Sequence, residues 1–404
     1  MATGLEFMSL RKEAKEIKPK LVEIRRQIHM YPEPGFEEHK TSKFIQEKLR
    51  ELGLEPKVWA KTGITAVIEG GQGKGKTVLL RADIDALPVQ EANDVPYKSR
   101  NEGFSHACGH DAHVACLLGA AELLLKHKDE FRGKVLLVFQ PAEEGPGGAK
   151  PMIEEGAIGS PENPDIDAAM ALHITAMADV GLIGVTDGLL TASADEFYVT
   201  IKGKGGHGSA PHMAIDPIYI AGQIITGIQG FITRTVDPVE HVVFTWGKVI
   251  GGERQNVISE TCRLEGTLRT HNREVRSKLK EELPKFIQSV AKTYGGNAEV
   301  EVITGYDVGI NDKKLNDSIR RAVKKHYSED VIIDRGPIMG AEDFFEFALG
   351  GKIPTSMFWL FAGNKEKGFT HGNHSNYFDF DEDALPIGTT ILAQAAIDYL
   401  NNEE

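Results

Sequence analysis

Apolar residues recur at helical spacing at the start of the chain. Ile17, Leu21, Ile24 and Ile28 fall on one face of the segment from Leu10 to Tyr31, and the pattern repeats from Thr41 to Leu52 until Gly53 stops it. Two helices are therefore expected to open the chain. Short continuous apolar runs follow at Thr65–Ile68, Val78–Leu80, Val135–Phe139 and Ala168–Leu172, with a helical pattern over Val114–His127 among them. Strands that alternate with helices predict an α/β sheet buried on both faces.

The pattern changes after Gly188. Glu196–Lys202 alternates as a strand, Asp216–Thr233 has helical spacing, and His241–Val249 and Arg263–Arg269 again read as strands. Glu274–Tyr294 is a second helix and Ala298–Ile303 a last strand. The order β-α-β-β-α-β is that of a ferredoxin-like unit, compact enough to be a domain by itself. Beyond it a helix over Lys313–Tyr327, a strand over Met357–Phe361 and a helix over Leu385–Leu400 resume the α/β domain. The expected division is residues 1–188 with 304–404 for the α/β domain, and 189–303 for the insertion. At 404 residues, two domains are also what length alone predicts.

Composition narrows the partners. Hydrophobic content of 41% and charged content of 26% describe a soluble globular chain, and 46 Lys plus Arg against 59 Asp plus Glu give a formal charge of −13. Such a charge repels nucleic acid and anionic membranes on average. No run is long and apolar enough for a membrane span, and residues 1–20 lack the apolar core of a signal peptide. Met8 offers an alternative start, with Met1–Phe7 as an added leader. Three cysteines, Cys108, Cys116 and Cys262, are too few for a disulfide scaffold, so a reducing, cytoplasmic setting is expected.

The densest chemistry lies at His106-Ala107-Cys108-Gly109-His110-Asp111-Ala112-His113. Thiolate and imidazole suit borderline metals such as zinc, and Cys108 and His110, with only Gly109 between, can turn toward one ion. Asp83 and Asp85 close a predicted strand at its carboxyl end, where open α/β sheets keep their ligand sites. Glu143 and Glu144 follow another strand directly. Neighbouring side chains of an extended segment point to opposite sides, so one can bind metal while the other takes a proton from water acidified by it. His173 ends a further apolar strand, and His371 and His374 lie in a polar, turn-rich stretch.

Other motifs point elsewhere or nowhere. Gly70–Thr77 fits the phosphate-loop pattern letter for letter, but an extended apolar run follows Thr77 where a helix is required, and the segment reads as a flexible hairpin connection. A nucleotide-binding protein is thus the disfavoured reading. No H-E-x-x-H helix and no G-x-S-x-G elbow occurs. A metal-bearing protein without catalysis would keep Cys108 and His110 but has no need of Glu143.

Taken in order, Arg81–Pro88, His106–His113, Pro141–Gly145, Ala171–Ile174, Gly203–His212, Met339–Phe344 and His374 resemble the metal-dependent amidohydrolases. That family includes aminoacylases, hippurate hydrolases, auxin-conjugate hydrolases and aminoacylase-like carboxypeptidases, and the likeness covers nearly the whole chain. The resemblance implies a zinc-exopeptidase-like catalytic domain with a central mixed sheet, interrupted by a ferredoxin-like lid that dimerises. It implies two divalent ions, zinc or else manganese, cobalt or nickel, on Cys108, His110, Glu144, His173 and His374. Glu143 becomes the general base and acid. His207, from the lid of the other subunit, holds the developing oxyanion, and Asn256 and Arg254 help hold substrate. Asp83 stands where the wider family has a histidine ligand, so it is read as no ligand, and Asp85 as orienting a ligand imidazole. His371 competes with His374 for the last ligand position, and His106, Asp111 and His113 take supporting roles. The implied reaction is hydrolysis of an N-acyl amino acid to a carboxylic acid and a free amino acid. The alternatives are a deacetylase of a biosynthetic intermediate such as N-acetyl-diaminopimelate and a dipeptidase or carboxypeptidase. A homodimer or a tetramer is expected.

Overall fold

A computed structural model describes residues 7–161 and 163–402. The leader reading of Met1–Phe7 lies, Phe7 apart, outside the described residues. The chain divides into two compact units, one of residues 1–188, 310–336 and 343–404, the other of residues 189–309 and 337–342.

The first unit is built on an eight-stranded mixed sheet. Its strands lie in the order Lys57–Trp59, Gly63–Glu69, Lys134–Gln140, Thr77–Asp83, Ala168–Asp179, Thr355–Gly363, Ile183–Gly184, Ile332–Ile333. The four central strands, from Lys134–Gln140 to Thr355–Gly363, run parallel. Lys134–Gln140 and Thr77–Asp83 are buried almost throughout, as expected of strands covered on both faces. Helix His110–Lys126 packs against Leu385–Asn401 and is apolar nearly all round.

The segment expected as one helix over Leu10–Tyr31 is two, Phe7–Glu16 and Lys18–His29. Pro19 causes the break: it lacks an N–H and its ring clashes with the carbonyl four residues back, so it is tolerated only in a first turn. The next helix, His39–Glu51, falls where the spacing puts it.

Gly70–Thr77 is not a hairpin connection, contrary to the sequence expectation. Strands Gly63–Glu69 and Thr77–Asp83 do not pair, because Lys134–Gln140 lies between them, antiparallel to the first and parallel to the second. The loop must therefore cross one strand, and it does so against residues 128–134, with Gly70 N donating to Gly133 O at 2.9 Å and Gly133 N to Gly73 O at 2.9 Å. A Cβ on Gly70 would lie 2.3 Å from Phe131 O, which explains the glycine. A strand follows Thr77, so no helix amino terminus faces this loop and the phosphate-loop reading falls.

The second unit carries a four-stranded antiparallel sheet in the order Val242–Gly251, Thr261–Thr270, Ser193–Lys202, Asn297–Thr304. Helices Pro217–Thr235 and Arg273–Thr293 connect them, each capped by a side chain, Asp216 and Asn272. With strands numbered in chain order this is 2-3-1-4, the ferredoxin-like arrangement. Its own core joins Phe197, Ile224, Ile228, Leu264, Leu283 and Ile287. The segment Pro337–Glu342 belongs here through Ile338 N, which donates to Leu190 O at 2.8 Å.

Candidate metal centre

Three turns in the first unit, two of them at the ends of parallel strands and one at the start of a helix, carry candidate side chains. After Thr77–Asp83 the chain turns at Ile84, whose N–H donates to Gln140 O at 2.9 Å and ties the end of one strand to its neighbour. After Lys134–Gln140, Ala142 sits at φ 54, an uncommon conformation for a residue with a side chain, and its N–H donates to the buried carboxylate of Glu38 at 2.9 Å. That sharp turn presents Glu143 and Glu144. The third turn is Gly109, at φ 88, which begins helix His110–Lys126 four residues earlier than the apolar pattern predicts. A Cβ at Gly109 would lie 2.3 Å from Ile174 Cγ2, so the residue between the thiol and the imidazole has to be glycine.

The last two of these turns, together with strand Ala168–Asp179 and the turn at His374, bring six predicted residues together. Cys108, His110 and His173 place ligand atoms within 4.8 Å of one another, Cys108, Glu144 and His374 do the same, and so do His110, Glu143 and Glu144. Cys108, His110 and Glu144 thus each belong to two of these triads. Cys108 Sγ lies 3.5 Å from His173 Nε2, and His374 Nε2 lies 3.1 Å from Glu144 Oε1. Glu143 Oε2 is 3.9 Å from His110 Nε2. All are buried except Glu144, which is largely buried, and His374, which is exposed. His371 lies outside the cluster and stacks on Tyr377 at 5.3 Å.

Both imidazoles are held in the tautomer a ligand needs. His173 Nδ1 donates to Ile174 O at 2.9 Å, and His110 Nδ1 donates to Asp85 O at 2.9 Å with Asp85 Oδ1 at 3.3 Å, leaving each Nε2 as the inward atom. Asp85 Oδ2 also accepts from Glu144 N at 2.9 Å, so one aspartate orients both His110 and Glu144. Asp83 lies between Arg81 Nη1 at 2.6 Å and His113 Nδ1 at 2.5 Å, and its Oδ2 is 3.5 Å from His110 Nε2, so Asp83, His110 and His113 form a further group of clustered ligand atoms. His113 Nε2 in turn accepts from Ile174 N at 2.9 Å, next to His173.

The electrostatics ask for a cation. Burial alone would lower the pKa of His110, yet Asp83, Asp85 and Glu144 raise it to about 10. Burial pushes the Cys108 thiol up, and the negative charges of Glu144 and Glu143 push it further. His110 Nε2 is buried with no hydrogen-bond partner. A divalent ion reverses each of these conditions at once: it satisfies the orphan nitrogen, offsets the carboxylates and deprotonates the thiol. Burial and the neighbouring His113 meanwhile push His173 down to about 3, which keeps it neutral and ready to donate a lone pair. The donor set of thiol, imidazole and carboxylate fits a borderline metal.

Several supporting residues were not legible as such. Arg25 is fully buried and reaches Asp111 Oδ2 and Asp379 Oδ1, both at 2.8 Å, while His29 Nδ1 lies 2.7 Å from the same Asp111 oxygen. Asp111 follows His110 directly and Asp379 follows the His374 turn, so Arg25 ties together the two segments that carry those residues. Removing one partner of a buried charged network of this kind costs about 3–5 kcal/mol. Asn373 is the second such residue, donating to Cys108 O at 3.0 Å and Ile174 O at 3.1 Å.

The remaining predicted residues lie in the second unit. His207 is exposed on the short strand Gly206–His207, which pairs with Val257–Ile258, and Ser209 Oγ lies 2.7 Å from His207 Nδ1. Gly208 N donates to Asn256 O at 2.8 Å, so the pairing places Asn256 and the nearby Arg254, both exposed, beside His207.

Comparison with known proteins adds three findings. The profile described as Peptidase family M20/M25/M40 matches residues 79–398. Over 97% of its length the chain is 40% identical to Thermostable carboxypeptidase 2 of Saccharolobus solfataricus, covering 98% of that protein, and over its full length it is 37% identical to N-acetyl-L-cysteine deacetylase of Bacillus subtilis, covering 94%. Among solved structures, a dinuclear metal-binding peptidase from the M20 family of Bacillus subtilis superposes with a TM-score of 0.80 at 33% identity, over 96% of this chain and 99% of that one.

Proposed function

The chain belongs to peptidase family M20/M25/M40, and from that premise we propose that it is a metal-dependent amidohydrolase that splits N-acyl amino acids into a carboxylic acid and a free amino acid. The two named relatives support the substrate class. An N-acetyl amino acid and the last residue of a peptide are the same chemical object at the reacting end: an acyl carbonyl, an amide nitrogen, and an α-carbon that bears a free carboxylate. Deacetylase and carboxypeptidase chemistry therefore need one machinery, and they differ only in the acyl group.

The observation that carries the reading is the position of Glu143, a buried carboxylate whose Oε2 lies 3.9 Å from His110 Nε2, beside the donor cluster yet in neither of the two triads that include Cys108. In our reading Cys108, His110 and His173 hold one divalent ion and Cys108, Glu144 and His374 a second, with zinc as the first candidate and manganese, cobalt and nickel as others. When bound, such ions lower the pKa of a water molecule and polarise a carbonyl. Glu143 takes the proton of the attacking water on a carboxylate oxygen and later delivers it to the leaving nitrogen, which departs as a neutral amine. Asp85 keeps His110 in the ligating tautomer throughout. Asn256 and Arg254 hold substrate from the lid, and His207 of the partner subunit donates a hydrogen bond to the developing oxyanion.

A homodimer through the second unit is supported by its unpaired edge. Strand Val242–Gly251 lies at the border of its sheet and exposes Val243, Val249 and Ile250, with Ile218 and Tyr219 exposed on helix Pro217–Thr235. We read the location as cytoplasmic, on the three free and buried cysteines. No described helix is long and apolar enough to cross a membrane.

The test is a panel of N-acetyl, N-benzoyl and indole-acyl amino acids and dipeptides, assayed for released amine before and after chelation. Acyl amino acids are expected to be cleaved, activity to vanish on chelation, and zinc, manganese or cobalt to restore it. Failure to cleave any amide with any of these metals overturns the reading. Sharing of sites between subunits has its own check: His207→Ala and Glu143→Gln proteins, each inactive, should recover about a quarter of wild-type activity when equal amounts exchange subunits at random. Recovery of none would place His207 outside the neighbouring site.

A further inference from the structure

The turn that carries Glu143 is tied down on both sides of it. Ala142 N donates to Glu38 Oε1 and Glu144 N to Asp85 Oδ2, both at 2.9 Å, and further on Gly148 N and Ala149 N donate to Asp343 Oδ2 at 2.9 and 3.1 Å. Each anchor is a buried carboxylate from another part of the chain. Asp85 also holds His110, as described above, whereas Glu38 gives its second oxygen, Oε2, to Thr62 Oγ1 at 2.6 Å, which fixes the carboxylate itself. Backbone strain gathers at this contact. Phe36, Ala60, Lys61 and Ala142, at φ 62, 45, 71 and 54, are left-handed without being glycine, and they lie in the three short segments that Glu38 joins. A Cβ on Gly35 would lie 2.8 Å from Ala142 Cβ, so the Glu38 segment is pressed against the turn.

Conformations of this kind persist only where the surroundings over-determine them, and they collect where chemistry needs a fixed geometry. Here the strained residue is the one directly before Glu143. We propose that Glu38 is a positioning residue for the proton-transfer step: by holding Ala142 N it keeps the turn left-handed and so aims the Glu143 carboxylate at the attacking water. The inference rests on the functional reading above, in which Glu143 is the base. Without the Glu38 oxygen, Ala142 N is left buried and unbonded, and the turn relieves both that loss and its own strain by rotating away from φ 54. Glu144 N is held separately, by Asp85, so the candidate ligand next in the chain keeps its place.

Kinetics in two backgrounds, with metal analysis of every variant, separate positioning from a merely structural role. Glu38→Ala should lower kcat about 10- to 100-fold, the scale of misplacing a reacting group by about 1 Å, with KM within a few-fold and metal content unchanged. Glu38→Gln keeps an oxygen for Ala142 N and should restore most of the loss. Should the alanine variant fail to fold, Glu38→Asp, a carboxylate drawn back by one methylene, carries the same expectations. In Glu143→Gln protein no base is left to aim, so adding Glu38→Ala should lower kcat by less than about two-fold, whereas independent effects would multiply. A drop in that background as large as in the parent overturns the proposal alone, as does parental kcat in Glu38→Ala or a glutamine variant as slow as the alanine one. Loss of metal from Glu38→Ala also overturns it, by assigning Glu38 to the ligand Glu144 instead. Parental turnover in Glu143→Gln itself overturns the functional role of Glu143 and the proposal with it.

Discussion

Glu143→Gln protein is expected to bind its full complement of metal and to lose about 10²- to 10⁴-fold in kcat, the contribution of a well-placed general base. Glutamine keeps the shape of the side chain and one carbonyl oxygen, so the buried turn at Ala142 and the contacts of Glu144 have no reason to move. What it cannot do is take a proton. The substitution therefore splits binding from chemistry: KM stays within a few-fold of its original value while kcat falls. Steady-state kinetics together with metal analysis decide the matter. Full turnover with metal bound removes Glu143 from the proton-transfer role, whereas loss of metal makes it a ligand instead.

Cys108→Ala should have a different signature, because Cys108 is the residue shared by the two groups proposed above to hold the two ions. Loss of its sulfur weakens two sites at once, so metal content after dialysis should fall toward zero rather than by half. The drop in affinity should exceed the roughly 10- to 100-fold that removal of an outer partner brings. His374→Ala, by contrast, touches one triad and should leave one ion, and His371→Ala should leave both, since His371 stacks on Tyr377 instead. Cys108→Asp supplies a carboxylate in place of the thiolate and should restore part of the metal content. Equal losses from Cys108→Ala and His374→Ala would show that the thiolate serves one ion only.

Much of the scaffold was legible because strands and helices here follow the simplest rule, apolar faces turned to a core. The helices and strands of the second unit fall within a few residues of the periodicity, and their order identifies the arrangement before any coordinates. The failures share a cause: they depend on which segments become neighbours. Gly70–Thr77 resembles a hairpin in sequence, and only the later strand Lys134–Gln140, which slots between its flanking strands, makes it a crossover. Pro19 was visible, yet periodicity on either side of it concealed the break. At the site, the residues whose chemistry is unusual for their surroundings, Cys108, His110, Glu143, Glu144, His173 and His374, stand out along the chain. Arg25 does not, since an arginine on a charged helix gives no sign that it is buried. Asn373 gave a sign, lying beside His374 in a polar turn. Its function, however, is to hold two backbone carbonyls, which no pattern of side chains encodes.

The position of strand Thr355–Gly363 sets an order on the making of the protein. It emerges after the second unit in the chain, yet it sits between Ala168–Asp179 and Ile183–Gly184, strands that precede that unit. The sheet of the first unit therefore stays open, with the long edge of Ala168–Asp179 uncovered, while the residues of the second unit are being added. The second unit, continuous over residues 189–309, can collapse on its own core in the meantime. Closure of the first unit waits for contacts between residues far apart in sequence, a slow step by its topology. His374 arrives only with that closing segment, so the second triad is complete only once nearly the whole chain has been made, and an unfinished chain carries no working centre.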